Sequence, residues 1–231
     1  MSSYRLWTKS SHCLHSNLFE CKVTAALQRQ HYHLQIVGFV VVALSMVEMF
    51  TIPRSYFILG SIASTVTMIC VTVLLHRVDK PANFSGRRLA IGVVTAIVLY
   101  FVFFLGNALI KNYSPLGMQP ANETSIYGLF SSSPVLLLVA IFVLDALGFE
   151  SYFRGNLQRL FCSRLRWWAV FLPAVIDALI HFSSLNPLFP ATTFVADCFW
   201  GLNYYYTKDI YSNYASHFVW DLLIFLVFPI H

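Results

Sequence analysis

The polar and apolar positions of this chain separate into long apolar runs and short polar connections. A helix needs about 20 mostly apolar residues to cross a bilayer, whereas a membrane barrel strand alternates apolar and polar positions over about ten. The apolar runs here do not alternate, and seven of them are near the helical length: 34–50, 56–75, 89–110, 134–154, 167–184, 189–206 and 210–230. The pattern predicts an all-α fold, a polytopic transmembrane bundle of about seven helices.

The same pattern divides the chain into three parts. Residues 1–33 are predicted to form a cytoplasmic or interfacial arm, residues 34–110 three N-terminal transmembrane helices, and residues 134–231 a four-helix core. The arm has no apolar stretch like that of a cleavable signal peptide. We therefore expect membrane insertion to begin with an internal helix.

Composition agrees with a protein dissolved in lipid. The 231 residues are 58% hydrophobic and 11% charged, whereas a soluble domain carries about 25% charged residues. This excludes a soluble globular enzyme, a disordered chain and a nucleic-acid-binding module, and it makes the lipid bilayer the expected partner. The five cysteines form no CxxC pair and are expected to be free thiols.

The fifteen Lys and Arg residues predict the orientation, because cytoplasmic connections carry the positive excess. Thirteen of them, Arg154 included, fall in the N-terminal arm and in the segments that follow the second, fourth and sixth predicted helices. Only Arg54 and Lys111 fall in the other connections. We expect a multi-pass protein with its N-terminus in the cytoplasm and its C-terminus outside.

Acidic residues interrupt the predicted spans, although each costs roughly 2.5–3.5 kcal/mol at a helix centre. Residues four apart share one face of a helix. Such spacing pairs an acid with a base three times, and we expect the three pairs to share one polar cavity. Two further acids, Glu48 and Asp197, have no partner at this spacing and are expected to pack or to line a pore. The pairs are Glu150 with Arg154, Asp177 with His181, and His217 with Asp221.

Three segments, in order, resemble the motifs of one family. The stretch 149–155, Phe-Glu-Ser-Tyr-Phe-Arg-Gly, resembles the Glu-Glu-x-x-x-Arg motif of the type II CAAX prenyl endopeptidase and bacteriocin-processing proteins, known as the CPBP intramembrane proteases. His181 is at the place of the family's single histidine, and 216–221 resembles its closing His-x-x-x-Asn or Asp motif. The resemblance covers about 134–230.

The resemblance implies an intramembrane endopeptidase that cuts a membrane-associated peptide, a lipidated protein or a bacteriocin-like precursor. Glu150 would be the base, held by Arg154, and Asp221 would orient His217. His181 and His217 would bind the water, the oxyanion or a metal. The source of the nucleophile stays open at this point, because water activated by a carboxylate and water bound to zinc both fit these residues.

Two positions depart from the family pattern. Phe149 is at the place of the first motif glutamate, to which activation of the water is generally assigned, and Asp177 is at the place of a phenylalanine. Asp145 lies one turn before Phe149 on the same helix face, and Asp177 lies one turn before His181. Glu150, Asp145 and Asp177 are therefore the candidate replacements for the missing carboxylate.

Two other functions compete with proteolysis. Loss of the base at Phe149 would leave an inactive relative that serves as a membrane scaffold, chaperone or immunity factor. Buried acids and histidines are also the groups that ion-coupled transporters use. The transporter is the weaker alternative, because the two halves of the chain lack the matched Gly- or Pro-broken helices of such proteins.

Overall fold

A computed structural model describes residues 18–75, 85–113, 126–130, 133–186 and 188–230. The chain forms two compact units, residues 1–40 and 41–231. The first unit includes the beginning of α1, and the second includes the rest of α1 and every later helix. The described residues contain no strand, so the predicted all-α fold is confirmed.

The described part of the chain holds seven helical segments of 14 residues or more and one short helix. Two of the segments contain a π-helical portion, here called π1 and π2. The elements are α1 (Leu18–Thr51), α2 (Phe57–Leu75), α3 (Gly86–Tyr113), the short α4 (Ile126–Phe130), α5 (Val135–Glu150), π1 (Ser151–Gln158), α6 (Arg159–Leu165), α7 (Trp168–His181), α8 (Leu188–Thr207), α9 (Ile210–Asp221) and π2 (Leu222–Val227). In one of the two segments α5, π1 and α6 form a continuous helix, and in the other α9 and π2 do.

Four helices are long and apolar enough to cross a membrane: Tyr32–Thr51, Phe57–Leu75, Gly86–Asn112 and Val135–Cys162. Helix α7 is apolar but shorter, and α8 and α9 carry more polar side chains. The chain is therefore a multi-pass integral membrane protein. The lower hydropathy of the last helices reflects the polar groups that they bury inside the bundle, such as Asp197, Asn213 and His217.

Two helix boundaries differ from those predicted by hydropathy. Helix α1 already begins at Leu18, because more than half of its residues before the first apolar run are Leu, Ala, Gln, Glu, Lys or Arg, which form helices well. The fourth span does not end at Arg154 but continues through π1 and α6 to Leu165. Hydropathy detects the part of a helix that lies in lipid, and a helix can extend beyond it.

Glycines set the closest contacts between helices. On α3, a Cβ atom at Gly92 would clash with the carbonyl oxygen of Ser212 and lie 3.0 Å from the Cβ of Ala215, both on α9. On α5, a Cβ at Gly148 would lie 2.6 Å from Cγ2 of Thr65 on α2. Both helix pairs therefore pack with their backbones in near contact, as small residues allow in membrane proteins.

We expect Gly92→Ala to lower the free energy of unfolding by about 1–3 kcal/mol, the usual range for overpacking, because the backbone of α9 cannot move away as a flexible side chain could. Chemical denaturation of the purified protein measures it. Gly106→Ala is the matched control on the same helix, since a Cβ there meets nothing within 4 Å. Equal stability of the two variants would contradict the close packing of α3 on α9.

Candidate active site

The helices of the second unit surround a cavity of about 460 Å³. Its wall is mostly apolar and aromatic, and acidic and histidine side chains from four helices reach it in the middle of the bundle. A largely apolar pocket with a few convergent polar groups is the usual form of a ligand or active site. The acids and histidines on the wall are Asp145, Asp177, His181, Asp197, His217 and Asp221.

Glu150 is fully buried but does not line the cavity. Its Oε2 accepts a hydrogen bond from Nδ2 of Asn213 at 2.8 Å and lies 3.4 Å from Nε of Arg154. Its Oε1 is 2.9 Å from Nδ1 of His217. The carboxylate thus points from α5 towards α9, whereas sequence analysis predicted that it faces the cavity.

His217 is held on three sides. A carboxylate accepts hydrogen bonds but cannot donate them, so with an ionised Glu150 the bond from Nδ1 of His217 is a donated N–H. In the neutral imidazole Nε2 then carries the lone pair. This nitrogen lies 3.7 Å from Oδ2 of Asp221. Trp200 stacks on the imidazole, with ring centroids 3.9 Å apart and planes 18° apart. The arrangement fixes both the ring plane and the tautomer.

Arg154 joins two buried carboxylates. Its side chain is fully buried, its Nε is near Glu150, and its Nη2 donates a hydrogen bond to Oδ1 of Asp197 on α8. Arg154 was counted among the cytoplasmic charges and was also expected to pair with Glu150, and the structure buries it inside the bundle in that pair. Asp197, which has no partner at helical spacing, lines the cavity and is paired with Arg154 from another helix. An isolated charge in a low-dielectric interior is costly, so burial of each group requires its partner.

Asp177 and His181 contact each other within α7. Nδ1 of His181 lies 2.9 Å from the backbone oxygen of Asp177 and 3.2 Å from its Oδ1. The imidazole also makes edge-to-face contacts with Phe50 and Phe189, at centroid distances of 5.3 and 4.8 Å. His181 is therefore fixed at the end of α7 with its ring on the cavity wall.

Asp145 is anchored to α2. It accepts hydrogen bonds from Oγ1 of Thr65 and from Oγ of Ser61, the latter at 3.2 Å. The small Gly148 permits this contact, because it brings Thr65 close to α5. Two hydroxyl donors stabilise a carboxylate at this point of the wall.

Phe149 lines the cavity next to both histidines. Its ring centroid is 5.7 Å from that of His217 and 6.4 Å from that of His181, and the ring stacks on Phe153 at 4.7 Å. The cavity-facing position beside the two imidazoles is thus taken by an aromatic ring, while the adjacent Glu150 points away. Glu48, the remaining acid in a predicted span, is exposed near the end of α1 rather than packed or pore-lining.

Asn213, which fixes Glu150, was not among the residues predicted for the site. Its Nδ2 donates to Glu150 and to the backbone oxygen of Trp200, while its Oδ1 accepts from Asn203 at 2.7 Å. Asn213 precedes His217 by four residues, as His217 precedes Asp221. That repeated spacing places Asn213 on the same helix face as His217 and Asp221, so the sequence could have predicted it as a site residue. The contact between Arg154 and Asp197 had none, because it joins different helices.

The two histidines were also predicted as candidate zinc ligands. Nδ1 of His217 is engaged by Glu150, and Nδ1 of His181 by Asp177, which leaves Nε2 of each ring as the nitrogen that could bind a metal. Within the described ranges, however, no three His, Cys, Asp or Glu side chains gather as a metal-binding group, whereas a zinc site has at least three protein ligands. Zinc binding by His181 and His217 therefore stays a prediction.

Comparison with known proteins connects this site to a family. A family model described as type II CAAX prenyl endopeptidase Rce1-like matches residues 131–223. An uncharacterized 24.3 kDa protein of Escherichia coli is 30% identical over 118 residues, which cover 49% of this chain and 52% of that protein. The chain thus spans about half the length of this curated relative, and no solved structure matches it.

The matched segment begins just before α5 and ends within π2. It contains all five residues predicted to act in catalysis: Glu150, Arg154, His181, His217 and Asp221. Residues 131–223 of this chain are therefore similar to the Rce1-like type II CAAX prenyl endopeptidases.

Proposed function

We propose that this protein is an intramembrane endopeptidase of the CPBP type, which hydrolyses a peptide bond in a membrane-associated peptide or protein. The observation that carries the proposal is the hydrogen bond between Glu150 and His217. It orients the imidazole of a histidine that lines a cavity in the bundle and leaves its other nitrogen free of this bond. A carboxylate that orients a histidine base is the central feature of many hydrolytic sites.

In this mechanism His217 is the general base and Glu150 is a positioning residue. A water molecule beside Nε2 of His217 and Oδ2 of Asp221, which are 3.7 Å apart, loses a proton to Nε2 and attacks the peptide carbonyl carbon. Glu150 stabilises the imidazolium that forms. When the C–N bond breaks, the imidazolium returns the proton to the leaving amine.

His181 is the group that would stabilise the carbonyl oxygen as it becomes negative. Asp177 binds its Nδ1, so Nε2 is the nitrogen available to the cavity, and it can donate a hydrogen bond when the imidazole is protonated. Of the three acids predicted to replace the carboxylate missing at Phe149, Asp145 and Asp177 line the cavity and could contact a water molecule there. Glu150 is less suited to contact water directly, because it is off the cavity wall.

The apolar wall supports a substrate that reaches the site from lipid. A lipidated protein or a bacteriocin-like precursor, the classes implied by the resemblance, would present apolar groups to aromatic residues such as Phe57, Phe130 and Phe142. Burial of a large apolar side chain contributes roughly 1.5–3 kcal/mol. Such contacts would hold the peptide while the polar groups act on the bond.

An inactive scaffold or immunity factor is the second candidate, and Phe149 favours it. Its ring takes the cavity position beside both histidines at which the resembling motif has a glutamate. A relative that lost this base would keep the fold, the buried ion pairs and the cavity but would not turn over peptide.

The variant Phe149→Glu separates the two candidates. If the wild type is an endopeptidase, purified protein in liposomes cleaves a fluorogenic peptide library, and Phe149→Glu gives no increase, because it adds a carboxylate beside an existing base. If the protein is an inactive relative, the wild type shows no turnover and Phe149→Glu creates some. Phe149→Leu is the control for loss of the aromatic ring.

A further inference from the structure

The cavity lies in one half of the bundle. Its wall is formed by residues 46–50 of α1, 57–68 of α2 and 102–110 of α3, which are the ends of these helices nearest the connections 52–56 and 114–125. Helix α8 contributes only its first part, 188–200, and the last helical segment only its later part, from His217 onwards. Every contribution therefore comes from the same end of the bundle or from the middle.

Connecting residues line the cavity at this end of the bundle. They are Asn186, in the connection from α7 to α8, and Ile230, after π2. At the opposite end, α6 meets α7, α8 meets α9, and α2 is followed by α3. None of the described residues at those three junctions lines the cavity. Among the described residues, the cavity wall therefore reaches the helix connections only at one end of the bundle, the end of Asn186 and Ile230 on the side of the C-terminus.

The two ends differ strongly in positive charge. Beyond residue 33, and with the buried Arg154 set aside, the cavity end has two basic residues, Arg54 and Lys111. Among the described residues the opposite end has six, and the segment 76–84 that joins α2 to α3 in the sequence adds Arg77 and Lys80. The six are Arg87, Arg88, Arg159, Arg164, Arg166 and Lys208. Short connections rich in Lys and Arg stay in the cytoplasm, so the end that carries the cavity faces the other side.

We infer that the active site is entered from the non-cytoplasmic side of the membrane, and that its substrate is an apolar, membrane-proximal segment presented on that side. Such a segment is an exported peptide or the outer part of another membrane protein. The substrate half of this inference rests on the proposed endopeptidase function. The side of access does not, because it follows from the cavity and the charges alone.

Cysteine labelling tests the side of access without any assay of activity. In a variant with all five native cysteines changed to Ser, Thr192→Cys places a thiol on the cavity wall of α8. Tyr206→Cys is the matched control, because it lies on the same helix near the opposite end and is 68% exposed. Thr193→Cys, also on the wall, replaces the first variant if that one does not fold.

A small, charged, membrane-impermeant thiol reagent is applied to intact cells. We expect it to label Thr192→Cys in intact cells and to label Tyr206→Cys only after the cells are permeabilised. Labelling of the Tyr206 variant in intact cells overturns the inference. Failure to label either cavity variant before permeabilisation overturns it as well.

The substrate half is tested with sealed proteoliposomes in which all molecules share one orientation. A fluorogenic peptide library added to the side of the C-terminus is expected to be cleaved, and the same library on the other side is not. Cleavage from the basic side only overturns the inference. Absence of cleavage from both sides, together with the expected labelling, refutes the endopeptidase proposal and supports the assigned side of access.

Discussion

Replacement of Glu150 by Gln is expected to lower kcat for peptide cleavage by about 10²- to 10⁴-fold, the range that general acid–base catalysis contributes. The amide of Gln can donate a hydrogen bond to Nδ1 of His217. That would move the imidazole proton to Nε2, the nitrogen that must accept a proton from water. A carboxylate-to-amide change at the equivalent point of a Ser-His-Asp triad costs about 10⁴-fold for this reason.

The split between kcat and KM distinguishes this role from direct contact with substrate. Glu150 is off the cavity wall, so KM should stay near that of the wild type. Asp209→Asn is the matched control, because Asp209 is another buried acid and does not line the cavity. It caps α9 through the backbone N–H of Ser212 at 3.2 Å and pairs with Arg88 at 3.4 Å. Full activity of Glu150→Gln would reject the orienting role. Full activity of Asp145→Ala as well would leave Asp177 as the remaining cavity acid that sequence analysis proposed.

Replacement of Arg154 by Met is expected to destabilise the protein by about 3–5 kcal/mol, the cost of breaking a buried ion pair by removal of one partner. Met fills much of the same volume but leaves Glu150 and Asp197 without their cation. Both carboxylates are fully buried, so bulk water does not replace the guanidinium. Unfolding of the purified protein in mixed detergent measures the loss.

The paired variant isolates the electrostatic part of that loss. Arg154→Met combined with Asp197→Asn removes one unpaired carboxylate and should recover part of the stability. Arg154→Lys keeps the charge, but a lysine ammonium cannot reproduce the planar fork that bridges two acids, so an intermediate loss is expected. If Arg154→Met lowers the free energy of unfolding by less than about 1 kcal/mol, the buried carboxylates of Glu150 and Asp197 do not depend on Arg154 for their stability.

The bundle itself could be predicted from the sequence because lipid imposes a simple rule. An apolar run of about 20 residues has few alternatives to a spanning helix, and each predicted span corresponds to a helix in the structure. Pairs within one helix were also predictable. The contacts of Glu150 with Arg154 and of Asp177 with His181 follow from a spacing of four.

The rest depended on how the helices are rotated and packed. Phe149 and Glu150 are about 100° apart on α5, and only the packing of α9 and α2 decides which of them faces the cavity. The pairing of Arg154 with Asp197 joins residues far apart in sequence. Periodicity within one helix carries no information about such a contact, so Asp197 had no visible partner until α8 was placed beside π1.

The two π-helical segments follow directly after Glu150 and Asp221. A π turn holds one more residue than an α turn. The loss of one residue there therefore turns it into ordinary α-helix without interrupting the helix. The parts of the helix before and after each segment would keep their places. Differences in chain length among related proteins can therefore be accommodated at 151–158 and 222–227, where an alignment that allows gaps only in loops would shift the register by one.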